Sequence, residues 1–322
     1  MERPGEQFGR LITAMVTPSE TVNPNNVSAP KTRLLVEHLI QTSTEGIVVT
    51  GTTGESYALT ETERRLVLVT TLAVADGRIP VIAGTSTYNT RESVELSQRA
   101  QRDGAQGLLL VSPAYYNNAP PEGVKRHFAT ILEAVSLPTI LYNVPSRTNG
   151  KNITPEVFFR LAEQFPHVVG IKEARGADTE EGREYIEREF SEMPDNLVMW
   201  SGNDADLFWF LQRGGFGVVS VASHVAGDRI RRTMDYYLEG KENDARRLDE
   251  AMQPLYKALF PPEAPVSSPA TIKKLLNLIG IDVGPVRSPL VEVEEVKPEF
   301  LSTLDDLIGY YKLTGEPKIP AK

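Results

Sequence analysis

The chain has 322 residues, of which 40% are hydrophobic and 24% charged, and its net charge is -9. This balance is typical of a soluble globular protein with a large core, and the negative charge disfavours nucleic acid or an anionic membrane as a partner. There is no cysteine, which excludes disulfides, a thiolate nucleophile and a cysteine-ligated metal.

Residues 1–7 lack the apolar segment of a secretory signal, and nowhere do about 18 apolar residues follow one another. We therefore expect a cytoplasmic enzyme that acts on small molecules and does not span a membrane.

Short apolar runs alternate along the chain with longer amphipathic segments. The runs are β-branched and almost continuously hydrophobic, as parallel strands covered on both faces are. Eight strands are predicted, at residues 11–16, 46–50, 80–85, 107–112, 139–144, 168–172, 197–201 and 217–221. Helices are predicted at 31–42, 60–75, 90–103, 120–135, 154–164 and 228–238. Two of these helices begin with a capping signal, at Thr60 and at Thr154.

This alternation predicts an α/β fold, a (β/α)8 TIM barrel over residues 1–240, with a doubly wound open sheet as the alternative. From 241 to 322 the pattern becomes helical, with segments at 242–259, 270–279 and 298–312 and a proline-rich break at 261–269. We expect this C-terminal helical extension to pack on the barrel or to form a subunit contact.

Lys172 lies near the end of predicted strand 6, in the apolar sequence V-V-G-I-K-E-A at 168–174. An ammonium group on a buried strand is costly unless it is compensated, and desolvation lowers its pKa. A neutral amine there can attack a carbonyl and form a Schiff base. The alternative is a lysine that reaches solvent or forms half of a buried ion pair.

The other strand ends also carry polar groups, and in such a barrel the chemistry lies at these ends. Strand 2 leads into G-T-T-G-E at 51–55, either a nest for a carboxylate or an ordinary turn. Strand 4 leads into Y-Y-N at 115–117, either proton-relay hydroxyls or interface aromatics. Strand 7 ends in S-G-N-D at 201–204, and strand 8 contains G-V-V-S at 217–220.

Strand 5 carries Tyr142, which shares its face with Ile140 and is expected to point into the barrel towards Lys172. Arg147 follows the strand and can hold a carboxylate with two hydrogen bonds, or be an exposed loop arginine. The four histidines fall on different predicted elements without the local pairs that bind metals, so no metal site is predicted.

In these motifs the chain resembles the dihydrodipicolinate synthase family, within the superfamily of pyruvate-dependent Schiff-base aldolases and N-acetylneuraminate lyases. The resemblance extends from about residue 11 to about residue 290. It rests on G-T-T-G-E at 51–55, Y-Y-N at 115–117, L-Y-N-V-P-S-R-T at 141–148, G-I-K-E-A at 170–174, S-G-N-D at 201–204 and the segment 280–287.

The resemblance implies that Lys172 forms an imine with pyruvate, without any cofactor. The derived enamine attacks L-aspartate 4-semialdehyde, and cyclisation gives 4-hydroxy-tetrahydrodipicolinate, the entry to lysine and diaminopimelate biosynthesis. In family terms Tyr142 passes protons, and Thr52 and Tyr116 complete the relay. The remaining roles implied are carboxylate binding by Thr53 and Arg147 and pocket lining by Gly202 and Val219.

The resemblance also implies a homo-oligomer, at least a dimer and commonly a tetramer of two tight dimers, in which Tyr116 comes from a neighbouring subunit. Many relatives bind lysine at the dimer interface, and the corresponding residues here are Ser56, Tyr57, Tyr88, Glu92 and Tyr115. Where some inhibited relatives carry histidines, this chain has Glu61 and Arg64.

Two alternatives stay open at this point. A related aldolase that acts on a sugar-acid aldehyde, or on N-acetylneuraminate, shares the lysine and the tyrosine. A catalytically silent barrel with a regulatory role is the more remote possibility, since fold does not guarantee activity.

Overall fold

Eight parallel strands form a closed barrel in chain order in the computed structural model, which describes residues 3–115, 118–260 and 268–293. Strand β8 pairs with β1, with Ile12 opposite Val219, so the sheet has no open edge. The strands are β1 Leu11–Ala14, β2 Gly46–Val49, β3 Val81–Gly84, β4 Gly107–Val111, β5 Thr139–Asn143, β6 Val168–Glu173, β7 Val198–Ser201 and β8 Gly217–Ser220. The predicted (β/α)8 barrel is confirmed, and the open sheet was the wrong alternative.

Helices follow the strands and cover the outside of the barrel. They are α1 Ala29–Gln41, α2 Glu61–Ala75, α3 Thr90–Asp103, α4 Pro121–Leu132, α5 Pro155–Gln164, α6 Glu180–Glu192, α7 Leu207–Leu211 and α8 Ser223–Leu238. The caps predicted from sequence are formed: the Thr60 hydroxyl accepts from the Glu63 N–H at 3.3 Å, and the Thr154 hydroxyl from the Val157 N–H at 3.4 Å.

Large side chains fill the N-terminal end of the barrel interior. Phe8, from a 3-10 helix at Pro4–Phe8, is fully buried, as is Trp200 of β7. A side chain at Gly107 would overlap the Phe8 ring, which explains a glycine at the start of β4. The Trp200 indole N–H donates to the Gly9 carbonyl at 3.0 Å. Because aromatic rings close this end of the barrel, only the opposite end, where the strands finish, is left for a polar site.

The C-terminal extension packs on the last part of the barrel. Helix α9 Glu242–Leu259 contacts α8 and the 3-10 turn Asp204–Asp206, and α10 Ser268–Leu278 contacts α8 and α9. The chain then returns to the barrel, where the Ser19 N–H donates to the Val283 carbonyl at 3.0 Å.

The helix predicted at 298–312 lies outside the described residues, and the domain division after residue 240 stays a prediction. Within the described part of the chain, no helix combines the length and the apolar character needed to cross a bilayer.

Candidate active site

Lys172 and Tyr142 lie side by side where β5 and β6 end. They are opposite each other in the strand register, and the Lys172 Nζ is 4.2 Å from the centre of the Tyr142 ring. Both side chains are buried, with 5% and 7% of their surface exposed. Tyr142 packs in the same interior cluster as Ile140. Strand alternation thus places an amine and a phenol together inside the barrel.

Burial lowers the pKa of Lys172 to about 8, although the negative charge of Asp204 opposes this shift. At pH 7 about a tenth of the amines are then uncharged, against roughly one in three thousand for a lysine in water. This amine is a competent nucleophile near neutral pH.

The pKa of the Tyr142 phenol is shifted in the opposite direction, upwards. Burial raises the pKa of Tyr142 to about 12, and the positive charge of Arg147 and a hydrogen bond with Thr52 only partly oppose it. The phenol therefore stays protonated at neutral pH. It can give a proton to an oxygen formed beside Lys172 and recover one through Thr52.

The loop after β2 brings Thr52 and Thr53 to the same end of the barrel. Thr53 is buried and Thr52 is half-buried. The loop turns back on itself, since the Glu55 N–H donates to the Thr52 carbonyl at 3.1 Å. A pocket of about 290 Å³ open to solvent lies between this loop and the neighbouring strand ends. Its lining residues are Thr50, Gly51, Thr52, Ser56, Tyr57, Gly84, Ser86, Leu109, Val111 and Tyr142.

Gly202 and Val219 lie on the other side of the lysine. The Gly202 N–H donates to the Glu173 carbonyl at 2.6 Å, and a side chain at Gly202 would come within 2.5 Å of the Ala174 Cβ. Val219 is fully buried in the same interior cluster as Tyr142. The backbone at 202 therefore approaches β6 closely, and Val219 contributes to the apolar surroundings.

Arg147 and Tyr116 are the remaining residues predicted for the site. Arg147 is exposed beyond β5, and only its charge reaches the Tyr142 phenol. Tyr116 falls outside the described residues, so its predicted place in the relay stays a prediction. Among residues 3–115, 118–260 and 268–293, no three His, Asp or Glu side chains are grouped as metal ligands.

Asp204 is a buried acid that the sequence reasoning named only as part of a motif. Its carboxylate accepts from the Ser220 hydroxyl and, at 3.0 Å each, from the Val221 and Ala222 N–H groups. Burial raises the pKa of Asp204, and these bonds and the charge of Lys172 oppose the rise. Its position two residues after Gly202, just beyond the end of β7, was the available signal, but the alternation rule does not predict side-chain directions in a turn.

A second group missed from sequence lies behind β6, on the face opposite Lys172. Glu173 accepts from the Asn143 side-chain amide at 2.7 Å and from the Arg175 N–H at 2.5 Å. Close to it lies Glu189 of α6, which is fully buried and accepts no hydrogen bond from an N–H group of the described residues. Burial raises the pKa of Glu173 to about 7 and that of Glu189 well above its usual value, and the negative charge of Glu173 adds to the rise at Glu189.

The five residues predicted as a regulatory group are Ser56, Tyr57, Tyr88, Glu92 and Tyr115. Ser56 is buried, whereas the other four are exposed. Arg64 connects three of them: its guanidinium donates to the Ser56 carbonyl at 2.6 Å and its charge interacts with Tyr57 and Glu92.

The chain is similar to known proteins over nearly its whole length. The sequence model of the Dihydrodipicolinate synthetase family matches residues 7–306. A relative from Symbiobacterium thermophilum, named 4-hydroxy-tetrahydrodipicolinate synthase, is 43% identical over 295 residues, which is 91% of this chain and 96% of that protein. One from Bacillus subtilis with the same name is 40% identical over 301 residues, 93% of this chain and 99% of that protein.

Among solved structures, the DHDPS from Cyanidioschyzon merolae with lysine bound superposes with a TM-score of 0.86 at 35% identity, covering 94% of this chain and 99% of that one. The matches extend over nearly the whole chain, and the family model spans the barrel and most of the extension. The chain therefore belongs to the dihydrodipicolinate synthetase family.

Proposed function

We propose that the protein is a class I pyruvate aldolase that condenses pyruvate with L-aspartate 4-semialdehyde to give 4-hydroxy-tetrahydrodipicolinate. One observation carries the proposal: a buried amine of lowered pKa lies 4.2 Å from a buried phenol ring, at the strand ends of a barrel. The names of its relatives supply the substrate class.

The first half of the reaction takes place on Lys172. The neutral amine attacks the keto carbon of pyruvate, and the Tyr142 phenol supplies the proton that the carbonyl oxygen needs. Loss of water from the carbinolamine leaves an imine, whose nitrogen acts as an electron sink. Thr53 and the N–H groups of its loop hold the pyruvate carboxylate, and Thr52 returns a proton to Tyr142.

The second half forms the carbon–carbon bond. The imine loses a proton from the former methyl group and becomes an enamine, which attacks the aldehyde carbon of the second substrate. The amino group of that substrate then attacks the imine carbon, closes the ring and releases Lys172 as a free amine. Arg147, exposed at the rim, binds the carboxylate of the aldehyde substrate.

This chemistry needs no external cofactor, because the imine itself accepts the electrons that the proton loss leaves behind. We also propose that the protein works as a homotetramer of two dimers, with Tyr116 contributed across the dimer interface. Size-exclusion chromatography with light scattering measures the assembly, and a monomer with full activity would contradict this part of the proposal.

Borohydride trapping tests the covalent step. With pyruvate and borohydride, the intact protein should gain the mass of pyruvate less one water plus two hydrogens, and peptide mapping should place it on Lys172. Lys172→Ala should gain nothing, and Lys257→Met, which changes an exposed lysine on α9, should trap as the unaltered chain does. Absence of the adduct in the unaltered protein would refute the proposal.

A comparison of aldehydes tests the substrate. The ratio kcat/KM should be highest for L-aspartate 4-semialdehyde and far lower for sugar-derived aldehydes. A strong preference for a sugar-acid aldehyde would leave the aldolase class intact and overturn the synthase assignment.

A further inference from the structure

Glu55 closes the loop that carries Thr52 and Thr53, and it adopts an unusual backbone conformation. Its φ is 56° and its ψ is 35°, in the left-handed region that residues other than glycine rarely occupy. Thr50, at the other end of the loop, also has a positive φ of 53°. Such conformations persist only where the surroundings hold them. The loop is therefore bounded by two strained residues that need support.

The support at Glu55 comes from the C-terminal extension. The Lys273 Nζ of α10 lies 2.6 Å from Glu55 Oε1, and both side chains are almost fully buried, with 3% and 1% exposed. The Arg287 N–H donates to Glu55 Oε2 at 2.8 Å. The Arg287 guanidinium donates to the Ala58 carbonyl at 3.1 Å and pairs with Glu63 at 2.7 Å. Both carboxylate oxygens of Glu55 are thus held by residues that follow the barrel in the chain.

Lys273 is itself fixed in place. Its ammonium also donates to the Pro285 carbonyl at 2.9 Å. The Asn277 side chain on the same helix accepts from the Val283 N–H at 2.8 Å and donates to the Gly284 carbonyl at 3.2 Å. A buried ion pair adds little net stability, because both charges lose their hydration. A role in fixing geometry accounts for this pair better than a contribution to stability.

The contacts continue from Glu55 to the substrate side of the loop. The Glu55 N–H donates to the Thr52 carbonyl at 3.1 Å, and the Ser56 N–H to the Gly51 carbonyl at 3.3 Å. Thr52 in turn bonds to the Tyr142 phenol. A displacement of Glu55 therefore moves the Thr52 hydroxyl, which lies beside the Tyr142 phenol.

We propose that Lys273 is a positioning residue for pyruvate binding: by holding Glu55 from α10, it fixes the loop so that Thr52 and Thr53 face the Lys172 amine. Arg287 assists through its backbone N–H. The extension is then a working part of the site through Lys273 and Arg287, which hold Glu55 and do not themselves touch substrate. The identity of the ligand rests on the proposed function, whereas the positioning of the loop does not.

Three variants separate positioning from stability. Lys273→Met leaves Glu55 buried without its partner, so it should destabilise the fold and displace the loop. Glu55→Gln with Lys273→Met removes both charges, which should restore much of the stability without restoring the contact. Leu276→Ala, a fully buried position on the same helix, is the control that destabilises α10 without touching Glu55.

The expected result is a rise in the pyruvate KM of about 10- to 100-fold in the first two variants, with the KM for the aldehyde unchanged, because misplacement of a binding loop acts on the group it holds. Leu276→Ala should leave both KM values unchanged. If the double variant recovered the pyruvate KM together with stability, or if Leu276→Ala raised it equally, the proposal would be wrong.

Amide hydrogen exchange in the ligand-free protein gives a readout that does not depend on the reaction. Exchange at residues 51–56 should accelerate in Lys273→Met and in the double variant, but not in Leu276→Ala. Unchanged exchange in Lys273→Met would refute the positioning role. Failure of the unaltered protein to trap pyruvate would refute the proposed function instead, and the exchange rates would still decide the role of Lys273.

Discussion

Replacement of Lys172 by methionine should abolish imine formation and, at the same time, stabilise the fold. The buried amine has a pKa of about 8, against the usual 10.5. At about 1.4 kcal/mol per pKa unit, this difference means that keeping Lys172 charged in the folded state costs about 3 kcal/mol. Methionine has a similar length and no charge, so it removes the penalty. The loss of the attraction to Asp204 makes this figure an upper value.

The gain in stability expected for Lys172→Met depends on pH. Between pH 8 and pH 10.5 the unfolded chain holds a proton on Lys172 that the folded chain has released, so stability rises with pH across this window. Below pH 8 both states are protonated and the penalty is present in full. The advantage of Lys172→Met should therefore be greatest at pH 7 and small at pH 10.5.

Urea unfolding of the two proteins at pH 7 and near pH 10 measures this difference, with Lys257→Met as the exposed control that should change nothing. We expect a free energy of unfolding higher by up to about 3 kcal/mol at pH 7 for Lys172→Met. A variant that is less stable than the unaltered chain at pH 7 would refute the reasoning. So would a gain of the same size at both pH values.

Tyr142→Phe should lower kcat by about 10²–10⁴-fold with an unchanged circular dichroism spectrum, because it removes only the proton donor; a smaller loss in steady-state assays would assign that role elsewhere. The contribution of Glu173 to stability should be lost as pH rises from 4.5 through about 7, because burial raises the pKa of its carboxyl to about 7 in the folded state. The thermal midpoint of Glu173→Gln relative to that of the unaltered protein should therefore be higher at pH 8 than at pH 5, and an unchanged difference would contradict this. Finally, millimolar L-lysine should not inhibit the enzyme, because Glu92, the carboxylate that would bind the lysine ammonium, already interacts with the Arg64 cation. Inhibition in a titration of activity with L-lysine would contradict this.

The barrel could be predicted because each of its strands carries its own signal. Apolar runs of four to six residues, separated by amphipathic helices, identified all eight strands, and closure followed from their number and order. The closeness of Tyr142 and Lys172 was also predictable, since alternation determines which side of a strand a residue faces. The prediction needed only the assumption that strands 5 and 6 are neighbours.

The supporting groups could not be predicted in the same way, because they join distant parts of the chain. Arg287 and Glu55 are 232 residues apart, and no local pattern connects them. Glu189 looks like one more charge on an acidic amphipathic helix, yet it is fully buried, and burial together with the nearby Glu173 raises its pKa. Only the packing of α6 on β6 makes this acid a buried one.

The protein environment reverses the relative acidities of the two groups at the centre of the site. In water a phenol, with a pKa of 10.0, is slightly more acidic than a lysine ammonium at 10.5, so phenolate and ammonium are the favoured pair. In the barrel the values are about 12 and about 8. The neutral amine beside a neutral phenol is now favoured over the charged pair by about four pKa units. Burial is the largest cause of both pKa shifts, and it therefore produces the nucleophile and the proton donor together.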